Sequence, residues 1–328
     1  MATAVLFLLL FTGMLSASEA RCAGCHVQTK HVAISPMTLT LGTSAAWDKA
    51  ELLGSFNGYN YRIFRQGKQL QYETRRGAEV LQVPVDWIFG SGRTGQTFIL
   101  KHEGQLLESR VSYYPRKNGL DLTIGAANAS PANVAEAVGR LMSRSDVSDC
   151  FGCHSSGETA RSKGGVPPGL IAGVQCDRCH GDSEAHAAKP SKGSMPTLKN
   201  APAESMSDLC GTCHRTWEQV MLMKSRGVST VRFQPFRLSQ SRCYDPADPR
   251  ISCTACHDPH RPALMETTRT DGACQSCHAG ASVKARPCPK ASSQCASCHM
   301  PKVELPGAHA SFSDHRIRVA RAGEPYPD

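Results

Sequence analysis

Cys-x-x-Cys-His recurs seven times in this chain, and no other feature limits its possible folds so strongly. The copies are CAGCH from Cys22, CFGCH from Cys150, CDRCH from Cys176, CGTCH from Cys210, CTACH from Cys253, CQSCH from Cys274 and CASCH from Cys295. They use fourteen of the sixteen cysteines, and every copy has its histidine. Zinc sites make no demand on the residue after the second cysteine. A thioredoxin-type dithiol is a single motif in a βαβ setting. Covalent haem attachment does require the full pattern, because two thiols on one turn form thioethers and the next imidazole is carried beneath the iron. The expected thioether residues are Cys22 and Cys25, Cys150 and Cys153, Cys176 and Cys179, Cys210 and Cys213, Cys253 and Cys256, Cys274 and Cys277, and Cys295 and Cys298. The expected proximal iron ligands are His26, His154, His180, His214, His257, His278 and His299.

On these motifs the sequence resembles the multihaem c-type cytochromes, in particular the doubled-CxxCH electron carriers of bacterial respiratory chains. The resemblance rests on residues 150–299, which hold six copies, and on the isolated copy at Cys22. It implies seven covalently attached haem c groups and electron transfer between redox partner proteins. A membrane-associated quinol oxidase or reductase is among the partners it suggests. About residues 32–146 it says little.

Composition agrees. Aromatic residues make up only 6% of the chain, thin for an ordinary core, so the macrocycles are expected to form the interior of the C-terminal part. The first twenty residues carry an apolar run from Ala4 to Leu15, then small residues ending in Ser18 and Ala20. That reads as a signal peptide ahead of a periplasmic or secreted protein, the run being short for a bilayer span. The absence of an early positive charge keeps an uncleaved anchor as the alternative. The formal charge of +9 falls to roughly +3 once the leader is removed and each oxidised haem adds its propionates. A nucleic-acid partner is therefore not expected.

The expected class is α+β: an N-terminal antiparallel β domain, and a cytochrome domain of short helices and loops around stacked haems. The expected divisions are a signal peptide over 1–20, the first haem motif over 21–31, the β domain over 32–128 and a hexahaem domain over 129–328. The β domain is read from MTLTLG, YNYRIFRQG, KQLQYETRRG, EVLQVPVDWIF, QTFILKHEG, QLLESRVSYY and GLDLTIG, with hairpin turns at RQGKQ and HEGQ. Gly90-Ser-Gly92-Arg-Thr-Gly95 matches a dinucleotide fingerprint but leads into a strand, so it is read as a turn. Ser130-Pro131 reads as a helix start, with Val134, Val138, Leu141 and Met142 on one face. RTWEQVMLMKSR reads as a helix ended by Gly227, and RAGEPYPD as a tail.

Six histidines lie outside the motifs. By resemblance, His186 in CHGDSEAH, His260 in CHDPH, and His309 and His315 in HASFSDHRI are distal iron ligands, each of the first two serving a haem other than its own motif's. His31, five residues after His26, is a fifth candidate. His102, in a hairpin, is expected to face solvent. Seven irons and six free imidazoles cannot all be bis-histidine within one chain. Met195, Met206, Met221 and Met223 are conceivable substitutes, although packing is the commoner role of methionine; Met300 cannot reach the far side of its own haem. An iron left open is what a reductase of a small nitrogen or sulfur compound needs, and this is the alternative function. No motif carries the lysine that marks the pentahaem nitrite reductases. The leftover Cys243 and Cys288 are expected to form a disulfide, or else one of them is a thiolate ligand.

Overall fold

A computed structural model describes residues 22–26, 29, 32, 35–157, 166, 169–181, 183–196, 198–261, 267–279 and 288–327. The expected signal peptide and His31 lie outside the described residues. Among the described residues, no helix is long and apolar enough to cross a membrane.

Seven strands follow one another as an antiparallel meander. They are β2 (Leu52–Phe56), β3 (Tyr59–Gln66), β4 (Gln69–Arg76), β5 (Glu79–Phe89), β6 (Gln96–His102), β7 (Gln105–Tyr114) and β8 (Gly119–Leu122). β1 (Leu41–Thr43) adds to β5, and β9 (Gly139–Leu141) adds to β7. Period-two burial drives this arrangement: Tyr59, Tyr61 and Ile63 point inward while Asn60 faces solvent. Tight turns link the strands, with two successive left-handed residues at Asn57-Gly58 and at Glu103-Gly104, as two-residue hairpins require. The sheet curls until its ends approach, so that a Cβ added at Gly54 on β2 would lie 3.2 Å from the Leu120 Cβ on β8. The nearly closed barrel is filled by an aromatic core in which Trp47 stacks edge-on against Phe98 at 5.3 Å. Gly90, at φ 105°, makes the expected turn into β6.

Several expectations are corrected. LLGSF also forms a strand, one whose pattern is hidden in the sequence because Gly54 breaks the run of bulky residues. MTLTLG gives only β1, since Thr38–Thr40 coil into a 3-10 turn. The helix after Pro131 is capped by Asn133 and runs only over Val134–Val138. Gly139 then extends to pair with β7, which carries Leu141 and Met142 off the helix. A second helix, Arg144–His154, begins at a Ser143–Asp146 capping box. The helix after Arg215 covers only Trp217–Leu222, and Gly227 opens a 3-10 turn instead of ending it.

Beyond the barrel the described residues form short helices and one hairpin, β12 (Lys302–Leu305) with β13 (Ala310–Ser313), the two-residue β10 (Ser155–Ser156) and β11 (Ile171–Ala172) pairing in between. The apolar clusters lie in the barrel and where the Arg144–His154 helix meets it, apart from a small group of Val220, Phe233 and Phe236.

Candidate haem-binding centre

All seven motifs sit on a helical turn. Three of them close longer helices: Arg144–His154, Ala203–His214 and Thr267–His278. Cysteines three apart share one helix face, and the next residue projects close beside them. The thiols form no disulfide and are mostly half-buried.

Three motif histidines face a second imidazole from elsewhere in the chain. His26 faces His186 with ring centres 6.2 Å apart, His180 faces His260 at 6.1 Å, and His257 faces His315 at 6.2 Å. Two metal–imidazole bonds of about 2 Å, each with about 1 Å more to the ring centre, span about 6 Å. The arrangement therefore fits one iron between each pair. In each pair the second histidine follows a different motif or belongs to the C-terminal segment.

Hydrogen bonds orient these rings. His186 Nδ1 lies 2.7 Å from Ser194 Oγ, His260 Nδ1 3.2 Å from Asp258 Oδ1, and His315 Nδ1 donates to Ser313 O at 3.0 Å. Among the motif histidines, His154 bonds through Nδ1 to Thr40 O (3.0 Å), His214 to Gln234 Oε1 (3.0 Å) and His299 to Arg318 O (2.9 Å). An Nδ1–H held in this way leaves the Nε2 lone pair for a metal. Burial favours the neutral ring that ligation needs: desolvation, with His257 nearby, pushes His315 down to about 4. Desolvation also lowers His154, and it lowers His180 together with His260 and His26.

The motifs also touch one another. Cys153 Sγ lies 3.8 Å from Thr212 O, inside the CGTCH loop. Arg178, in CDRCH, donates to Gly152 O at 2.8 Å and lies 4.0 Å from Cys213 Sγ. Cys253 Sγ is 3.9 Å from Met206 O on the helix leading to Cys210. Arg269 donates to Thr254 O at 2.6 Å, and Asp271 accepts the Cys295 N–H at 2.9 Å. Contacts thus run continuously from the Cys150, Cys176 and Cys210 motifs to Cys253, Cys274 and Cys295.

Other expected site residues lie elsewhere. His309 sits at the tip of the β12–β13 hairpin, its Nε2 3.0 Å from Asp121 Oδ2 and its ring edge-on to Tyr114 at 4.7 Å, so it staples that hairpin to the barrel and faces no motif histidine. His102 ends β6, partly exposed beside Glu103. Cys243 and Cys288 are not joined: both are free thiols, Cys243 lying toward Cys277 and Cys288 toward His299. Backbone N–H groups of Lys290 and Ala291, with His299, hold the Cys288 thiol below its ordinary range. Sequence reasoning missed Thr40, Arg178, Arg237 and Asp314, whose roles depend on partners remote in the chain and leave no local pattern.

Comparison with known proteins points the same way. Residues 246–283 match the doubled CXXCH motif family, and residues 125–181 match the cytochrome c554 and c-prime family. The multiheme cytochrome MtrA of Shewanella baltica is 25% identical over 219 residues, which is 62% of this chain and 55% of that protein. The chain thus spans about half the length of this curated relative. The crystal structure of the outer cell wall cytochrome OcwA shares the fold, with a TM-score of 0.53 at 15% identity over 92% of this chain and 79% of that one. Each family match spans two of the Cys-x-x-Cys-His turns, and together these matches support a multihaem c-type cytochrome.

Proposed function

We propose that this chain is an extracytoplasmic electron carrier that holds seven haem c groups, one on each motif, and passes electrons between redox partner proteins. Electron transfer by c-type haems follows from its kinship with multihaem cytochromes. The periplasmic location rests on the leader-like first twenty residues and on the compartment in which such haems are attached in the family it resembles.

The observation that carries the reading is the set of three imidazole pairs with one common spacing. In this reading His186 is the distal ligand of the Cys22 motif, His260 of the Cys176 motif and His315 of the Cys253 motif. Bound haem supplies the one-electron couple. At these three pairs the chain's residues would hold the iron between two neutral imidazoles, so its coordination need not change on reduction. Contacts between motifs keep neighbouring attachment sites close enough for continuous transfer.

The test is twofold. Intact mass and a pyridine haemochrome assay of the secreted protein are expected to give seven haems per chain, and a smaller number in fully matured protein overturns the count. Electron paramagnetic resonance is expected to show at least three low-spin irons, with His186→Ala and His260→Ala each converting one to high spin.

A further inference from the structure

The segment that carries His315 is fastened by a charged pair sealed from water. Arg237, from the helix Gln234–Ser239, and Asp314 are both 0% exposed. They meet in a two-pronged ion pair, with Arg237 Nε 2.9 Å from Asp314 Oδ1 and Nη2 3.1 Å from Oδ2. The carboxylate is further engaged by Arg318 Nη1 at 2.6 Å and by the Arg316 backbone N–H at 3.1 Å. The guanidinium spends its Nη1 on Gln240 Oε1 at 3.2 Å and on Pro327 O at 2.9 Å, and its face lies 4.5 Å over Tyr326.

Burying such a pair costs desolvation that its attraction seldom more than offsets, and apolar residues of similar volume often serve stability as well. What a two-pronged pair adds is geometry, because a planar fork accepts a carboxylate in one orientation. Here the orientation fixed is that of the residue before His315. The remaining freedom is removed locally: Ser241 Oγ donates to His315 O at 3.2 Å and accepts the Ile317 N–H at 2.8 Å, while His315 Nδ1 donates to Ser313 O at 3.0 Å. Backbone, carbonyl and ring nitrogen are all held, and the ring faces His257 at 6.2 Å.

We infer that Arg237 and Asp314 are positioning residues that aim the His315 imidazole at the iron of the Cys253 motif. This rests on the reading that His257 and His315 share that iron, and the two ideas fail separately. The experiment uses the full-length, haem-loaded protein and quantifies high-spin iron by optical and paramagnetic resonance spectroscopy at constant haem content. His315→Ala is expected to turn one iron high-spin, and added imidazole to return it to low spin. Arg237→Met and Asp314→Asn are expected to raise the same high-spin signal with the haem number unchanged, and imidazole to quench it. Arg237→Lys, which keeps the charge but loses the fork, is expected to raise it partly.

Wild-type spin states in His315→Ala would sink the shared-iron reading. Wild-type spin states in Arg237→Met and Asp314→Asn beside an altered His315→Ala would overturn the positioning role alone. A new signal that imidazole does not quench would overturn it too, since the missing ligand would then not be an imidazole. Should Arg237→Met fail to mature, Asp314→Asn and the milder Ser241→Ala decide, and an unchanged spectrum in both overturns the inference.

Discussion

His309 and His315 lie six positions apart, yet the structure gives them different work. His309 bonds to Asp121 and leans on Tyr114, whereas His315 faces another imidazole. His309→Ala is therefore expected to lower thermal stability while leaving the low-spin haem spectrum unchanged; a new high-spin signal in that variant would reverse the assignment. Asp146 gives a prediction with a definite pH sign. Arg140, then the Ser143 hydroxyl and backbone, hold its carboxyl down at about 2, below the unfolded value of about 3.9. Its stabilisation is present above the unfolded value and is lost as pH falls toward the folded one. Thermal melts of Asp146→Asn are expected to fall less steeply than wild type between roughly pH 4 and pH 2. Removing the cap hydroxyl with Ser143→Ala is expected to cost about 1 kcal/mol.

At the scale of elements, the CFGCH helix is attached to the barrel by segments far apart in the chain. Thr40, just before β1, receives the His154 Nδ1–H, and Val174 N–H donates to Met37 O at 3.0 Å. Gly173 makes this approach possible: its φ is 77°, and a Cβ there would fall 1.8 Å from Thr38 O. Gly173→Ala is expected to destabilise the protein by at least about 1–3 kcal/mol. It should also loosen this junction first, seen as faster amide exchange at residues 38–41 and 171–174. The hairpins of the barrel were legible in the sequence because their alternation is local. β2 and the pairing of β9 with β7 were not, since Gly54 and Gly139 are chosen for close approach to other strands. The final residues likewise look like a loose tail, yet Tyr326 reaches Thr230 at 3.2 Å and Pro327 O accepts from Arg237.

For the molecule as a whole, the two parts differ in what holds them. The barrel has its own continuous apolar core, while among the described residues the motif-bearing part has only the small Val220 cluster beyond its junction with the barrel. A chain made where haem is not attached is expected to keep its β signal by circular dichroism. It should also resist protease over roughly residues 41–142, while the remainder is digested. Full protection of both parts without haem would show that the macrocycles are not needed as core. What the sequence by itself determined was chemistry held in short spacings: thiols three apart with an adjacent imidazole, and alternating strands closed by tight turns. Only the tertiary structure decided which imidazoles meet, which histidine is a staple, and that a buried arginine reaches the residue beside His315. Those outcomes depend on distances between segments remote in the chain, and such distances are fixed only when the barrel closes and the short helices dock.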